Sequence, residues 1–251
     1  MQYAHGGDIY TYKNLLDFSI NVNPLGPADA VVEAAARSLQ RIGEYPDSQS
    51  RELRNALAEK KGTGSRTVCD RKWSSRSFYF HWYWQKNLKK AMIVIPAFSE
   101  YEQALKTVGC EILYHEVKKK INFRLGTDLT EKITSELDFL FLCSPSNPAG
   151  QAVEKEFLIK IAEKCEKERV RLVLDECFVQ FLTSGEEASM QLETGRFRYL
   201  FVLQAFTKSM QFRESVLGTG SVLIKHCWNG WRRYVSRGAY QLRHRLRDFQ
   251  H

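Results

Sequence analysis

Long apolar runs are missing from this sequence, and so is a basic-then-apolar leader: the chain opens "MQYAHGGDIY". The first absence argues against a helical membrane span and the second against a secretory signal peptide. The expectation is a cytoplasmic protein with no membrane partner. C-x-x-C pairs are also absent from the six cysteines. Without an export signal these cysteines read as reduced thiols, several of them inside apolar strand-like runs. The six histidines do not group with them, so a metal site is not expected.

An acidic balance is lacking too: the formal net charge is +8. That charge is concentrated. Residues 66–86 hold five basic residues against Asp70, a net +4, and residues 209–251 hold eight against Glu214 and Asp248, a net +6. The remainder is therefore net −2. All five tryptophans (Trp73, Trp82, Trp84, Trp228, Trp231) fall in the same two segments. The chain reads as a mildly acidic protein interrupted by two basic, tryptophan-rich patches.

Elsewhere the patterning is regular. Residues 28–40 and 48–61 have helical apolar spacing, the second opened by the capping-type Asp47 and Ser48. "KKAMIVIPA" reads as a buried strand, "SEYEQALKTVG" as a helix ending on Gly109, and "CEILYHEV" as the next strand. A helix over "DLTEKITSEL", a strand over "DFLFLCSP", an amphipathic helix over "KEFLIKIAEKCEKER" and strands in "VRLVLDECF" and "RYLFVLQAFTK" follow. Strands alternating with helices of this length predict an α/β fold, a mostly parallel sheet sandwiched by helices. In such sheets ligands sit beyond the carboxyl ends of the strands. Four polar residues fall there: Ser99, Asn147, Asp175 and Lys208. Together they suit pyridoxal 5'-phosphate, because a lysine amine condenses with its aldehyde and a carboxylate holds its pyridine nitrogen protonated.

The series "HGGDIY", "LDFSINVNPLGP", "YPDSQSRELRNALA", "IPAFSEYEQAL", "FLFLCSPSNPAG", "VLDECFVQF" and "FVLQAFTK" resembles the threonine-phosphate decarboxylases of cobalamin biosynthesis. Those enzymes are relatives of histidinol-phosphate aminotransferase, with the pyridoxal-phosphate fold of the class I/II aminotransferases. The resemblance runs through residues 1–65 and 87–208. It implies an N-terminal arm (1–25), a large cofactor domain (26–208), and a homodimer acting on a small phosphorylated amino acid or amine. It implies that Lys208 is the covalent cofactor lysine, with Thr207 beside it as a further cofactor contact. Asp175 is then the pyridine-nitrogen partner, Phe98 the stacking aromatic, and Asn147 a donor to the ring oxygen or the substrate. His5, Gly6 and Asn21 resemble the substrate-phosphate contacts of the decarboxylase branch. Phe178 stands where the transaminases usually carry tyrosine, which favours decarboxylation of L-threonine O-3-phosphate to an aminopropanol phosphate over histidinol-phosphate-type transamination.

The two basic patches depart from that pattern. A G-N-G-A-A/T turn, whose backbone N–H groups at a helix start would hold the cofactor phosphate, is expected near residue 70; the chain has "RKWSSRS" instead. After the lysine, Y-A-I-P-G-x-R-L-G-Y is expected; the chain has "SMQFRESVLGTG". With suitable synonymous codons, the nucleotides encoding Arg71–Ser77 also encode G-N-G-A-A-D when read from the second position. Those encoding Ser209–Gly220 also encode Y-A-I-P-G-V-R-L-G-Y-G in a shifted frame. This predicts two reading-frame disturbances, an anomalous stretch at 66–86 and an anomalous basic tail at 209–251 in place of a small C-terminal domain. The chain as written is then expected to be inactive. Two other classes stay open: a non-catalytic remnant, and a basic module gripping nucleic acid through arginine and aromatic stacking, for which no recognised motif is present.

Overall fold

The computed structural model describes residues 11, 20–45, 47, 50–60, 62, 68–71, 90–107, 109–205, 208 and 221–224. Its centre is a seven-stranded sheet: β1 (Val68–Arg71), β2 (Lys90–Ile95), β3 (Glu111–Glu116), β4 (Phe139–Cys143), β5 (Arg171–Asp175), β6 (Leu200–Ala205) and β7 (Ser221–Ile224). The spatial order is β1-β7-β6-β5-β4-β2-β3. The run β6-β5-β4-β2-β3 is parallel throughout, whereas β7 is antiparallel to both β6 and β1. The edge strand β1 and its neighbour β7 both come from the segments whose motifs depart from the family pattern. The expected mostly parallel sheet is therefore present, with one reversed strand near its edge.

The described α-helices are α1 (Asp29–Ser38), α2 (Arg51–Lys60), α3 (Ser99–Thr107), α4 (Asp128–Lys132) and α5 (Lys155–Glu168), with short 3-10 helices in the connections. Side chains alternate across the parallel strands. Met92, Leu140, Leu142, Leu172, Leu174 and Val202 face one side, where α5 supplies Leu158, Ile161, Ala162 and Cys165. Ala91, Ile93, Phe139, Phe141, Val173 and Leu203 face the other, where α3 supplies Tyr101 and Leu105. Both sheet faces are thus dry, which is why the central strands read as unbroken apolar runs rather than as alternating ones.

One expected helix is shorter than its pattern. The run 128–137 is helical only to Lys132, and Ile133 turns extended at ψ 104°. Ile133 and Leu137 are nonetheless buried, at 0% and 4% exposure. The chain must leave the helix there to start β4 beside β2, where the Asp138 N–H bonds the Lys90 carbonyl at 2.8 Å and its carboxylate accepts the Lys90 N–H at 3.0 Å. Tertiary pairing overrides helical spacing. By contrast α3 stops near the expected glycine: Gly109 sits at φ +68°, a left-handed conformation that glycine adopts without steric cost.

Candidate active site

The site lies at the carboxyl ends of four neighbouring strands, in the order β6, β5, β4, β2. Asp175 is the last residue of β5. It pairs in register with Cys143 on one side and Leu203 on the other. The same alternation that puts Val173 on the α3 face puts the Asp175 carboxylate there, 6% exposed. Tyr101 donates its hydroxyl to Asp175 Oδ2 at 2.5 Å, and the Cys177 N–H donates to Oδ1 at 2.9 Å. Each carboxylate oxygen keeps lone-pair capacity for a further donor.

Three groups around that carboxylate are held in their neutral forms. Burial first, and then the Asp175 charge, pushes the Tyr101 hydroxyl well above its ordinary range. The same two causes raise the Cys143 and Cys177 thiols. The carboxylate therefore faces un-ionised neighbours, the phenol among them as a committed donor.

Lys208 follows β6. Its ammonium Nζ lies 5.5 Å from the centroid of the Phe178 ring, a cation–π distance. Its backbone carbonyl accepts the Asn23 N–H at 2.9 Å. Asn147 sits in the "SPSNPAG" loop after β4. That loop closes through Gly150 N–H to Ser146 O and Ser146 N–H to Gln151 O, both 2.7 Å, with Gly150 at φ +70°. Asn21 Nδ2 donates to Asn147 Oδ1 at 3.1 Å. This contact occupies the amide oxygen of Asn147 and leaves its NH2 group as the one offered to an acceptor. Residues 21–23 thus strap the lysine's carbonyl to the asparagine loop. Phe98 meets the ring of Tyr101 edge-on, centroids 6.0 Å apart.

Asp175, Lys208, Asn147, Phe98 and Asn21 are therefore each described at this end of the sheet, and Ser99 opens α3 beside them. The predicted contacts His5, Gly6 and Thr207 lie outside the described residues. So does the stretch 72–77 on which the phosphate cradle was expected. Sequence reasoning passed over Tyr101, although its spacing from Leu105 marked it as inward-facing on α3. It also gave no sign of the buried partners of Glu176. That carboxylate lies across the pleat from Asp175 and accepts from Met190 N–H at 2.7 Å, Ser189 Oγ at 2.5 Å and Gln204 Nε2 at 3.2 Å.

The donor set fits pyridoxal phosphate in its described half. It offers a buried carboxylate with free acceptor capacity, an amine one strand away, an amide NH2 one strand to the other side, and an aromatic ring next to the carboxylate's own donor. No other element of the sheet brings a lysine and a buried carboxylate to one end in this way among the described residues.

Comparison with known proteins agrees. The family model described as aminotransferase class I and II matches residues 13–222. Over 215 residues the chain is 35% identical to the threonine-phosphate decarboxylase of Salmonella typhimurium, covering 82% of this chain and 58% of the relative. It is 30% identical over 180 residues to the histidinol-phosphate aminotransferase of Methanococcoides burtonii, covering 67% of this chain and 46% of that one. The crystal structure of the histidinol-phosphate aminotransferase from Clostridium acetobutylicum superposes with a TM-score of 0.73 at 23% identity, over 84% of this chain and 61% of that chain. The chain spans about half the length of the curated relatives it matches, 58% of the first and 46% of the second.

Proposed function

The chain belongs to the class I and II aminotransferase family, and from that premise we propose that its site is the lysine-and-carboxylate half of a pyridoxal-phosphate centre. In the intact enzyme this centre serves to decarboxylate L-threonine O-3-phosphate in cobalamin biosynthesis. The observation that carries the reading is the placement of Lys208 and buried Asp175 beyond adjacent parallel strands. The family is pyridoxal-phosphate dependent. When bound, that group supplies an electron sink for bond cleavage at the substrate's Cα.

The chain's own residues have separate tasks. Lys208 would offer its amine to the cofactor aldehyde, and its cation–π contact with Phe178 orients the side chain. Asp175 would hold the pyridine nitrogen and favour its protonated form. Asn147 offers its NH2 group to the ring oxygen, and Asn21 fixes which end of that amide faces inward. Phe98 provides an apolar face for the ring. Phe178 has no hydroxyl to offer, so the donor set at the ring oxygen is poorer than in a tyrosine-bearing transaminase, which favours the decarboxylase branch. His5, Gly6 and Asn21 belong to the same proposal as substrate-phosphate contacts and Thr207 as a further cofactor contact, as does a homodimeric intact form.

The frame reading completes the proposal. With "RKWSSRS" in place of a glycine-rich anion turn, this polypeptide retains the condensation half of the site without the phosphate half, and it does not turn over. The test has two stages. After mixing with equimolar cofactor and desalting, the purified protein is expected to retain no visible cofactor band. With millimolar cofactor followed by borohydride, peptide mass spectrometry is expected to find Lys208 labelled above exposed lysines, and Lys208→Ala to lose that peptide's label. A strong band at equimolar cofactor, absent in Lys208→Ala, would overturn the lost-cradle reading. Labelling of Lys208 no greater than that of exposed Lys119 would overturn the site itself. Resequencing residues 66–86 and 209–251 in the gene checks the frame directly: an undisturbed nucleotide sequence in related loci encoding the same residues contradicts it.

A further inference from the structure

Tyr101 is 1% exposed and lies against both the proposed stacking aromatic and the proposed pyridine partner. Its ring stacks on Phe141 at 5.5 Å and meets Phe98 edge-on at 6.0 Å, while its hydroxyl reaches Asp175. A carboxylate on the end of a strand has rotational freedom about χ1 and χ2, and fixing it requires a donor on each oxygen. The backbone N–H of Cys177 fixes Oδ1 only. The phenol, itself locked between two aromatic rings, is the rigid donor for Oδ2.

We infer that Tyr101 is a positioning residue for the cofactor: its hydroxyl aims the Asp175 carboxylate at the pyridine nitrogen, and its ring sets the plane of Phe98. This deepens the proposed function and rests on it. The role is indirect, since the phenol acts through Asp175 and not on the reacting atoms. Burial and the neighbouring carboxylate keep the phenol protonated, so it donates over the whole working pH range. A charge-assisted bond of this type is roughly twice as strong as a neutral one, which suits a group that must hold a buried carboxylate in one rotamer.

The test is a double-variant cycle of Tyr101→Phe and Asp175→Asn, read in two ways. Tyr101→Phe keeps the ring and its stacking and removes only the donor. In urea unfolding without cofactor, the two changes are expected to be coupled, so that the double variant's unfolding constant departs by about tenfold from the product of the single effects. With millimolar pyridoxal phosphate and borohydride trapping, Tyr101→Phe is expected to lower labelling of Lys208 several-fold without altering that of Lys119. On an Asp175→Asn background it should change neither.

Additive unfolding energies would overturn the contact. An equal loss of Lys208 labelling on the Asp175→Asn background would overturn the positioning role and leave Tyr101 as core alone. So would unchanged labelling in Tyr101→Phe. Wild-type protein that labels Lys208 no better than Lys119 sinks the cofactor reading and this role with it. The cofactor-free cycle then still reports separately whether the phenol–carboxylate contact exists.

Discussion

Replacing Glu176 by glutamine changes one atom in the least expected part of this structure. Glu176 is 2% exposed, and its three donors come from the link between the 3-10 helices Gly185–Ala188 and Gln191–Gly195 and from β6. Two of those donors are themselves buried, Met190 at 0% and Ser189 at 1% exposure. Gln204 has further partners in Ser189 and Gln191, so its amide can reorganise. The Met190 N–H has no such freedom. An amide puts two N–H donors where the protonated carboxyl has a single O–H, leaving one buried donor facing another at a cost of about 1–3 kcal/mol.

The pH dependence gives this prediction its sign. Burial raises the Glu176 carboxyl above the ordinary 4.5, with the Asp175 charge a smaller contribution and the three hydrogen bonds opposing. A raised carboxyl binds its proton more tightly folded than unfolded. Its stabilising contribution is complete below pH 4.5 and is lost as pH rises through the folded value. Glutamine has no such dependence. Urea midpoints for wild type and Glu176→Gln, measured from about pH 4 to pH 8, should show the largest wild-type advantage at the acid end and a narrowing gap as pH rises. Titrations elsewhere cancel in the difference. Parallel curves, or a gap that widens with pH, would refute the burial argument.

Two further outcomes follow from the same packing. Phe141→Ala removes a side chain 1% exposed that stacks on Tyr101 and touches Phe139, and should cost about 3–5 kcal/mol of unfolding free energy by calorimetry. His115, 3% exposed, accepts from Lys132 Nζ at 3.1 Å; burial first, and then the Lys132 charge, lowers it below its usual 6.5, against a smaller opposing effect of Asp128. Its contribution is therefore full above pH 6.5 and lost as pH falls through the folded value, so a neutral His115→Gln protein should lose less stability on acidification, by urea midpoint, than wild type.

Much of the fold was legible locally because its strands are buried on both faces. "AMIVI", "FLFLC" and "RLVL" can only be core strands, and the amphipathic α5 between two of them forces a parallel crossover. The residues at the strand ends were legible for the same reason: once the strands are parallel, Asn147, Asp175 and Lys208 must share one end of the sheet. What chain-local spacing could not supply was partnership across distance. Tyr101 and Asp175 are 74 positions apart, and the choice of Tyr101 as donor depends on α3 docking against the face to which Asp175 points. The shortened α4 is the converse case, where periodicity promised a helix and the pairing of Asp138 with Lys90 ended it.

The sequence by itself determined the parallel sheet, its buried strands and the chemical types gathered at their carboxyl ends, because hydrophobic periodicity and strand–helix alternation are properties of consecutive residues. Among the described residues, no helix is long and apolar enough to cross a membrane. Only the tertiary structure decided that strands from the two irregular segments pair with one another as β1 and β7. It also decided that Asn21 and Asn23 strap the lysine to the asparagine loop, and that the Tyr101 phenol donates to the Asp175 carboxylate. Hydrogen bonds and sheet pairing join groups that the chain keeps far apart, and their geometry exists only once the layers have packed.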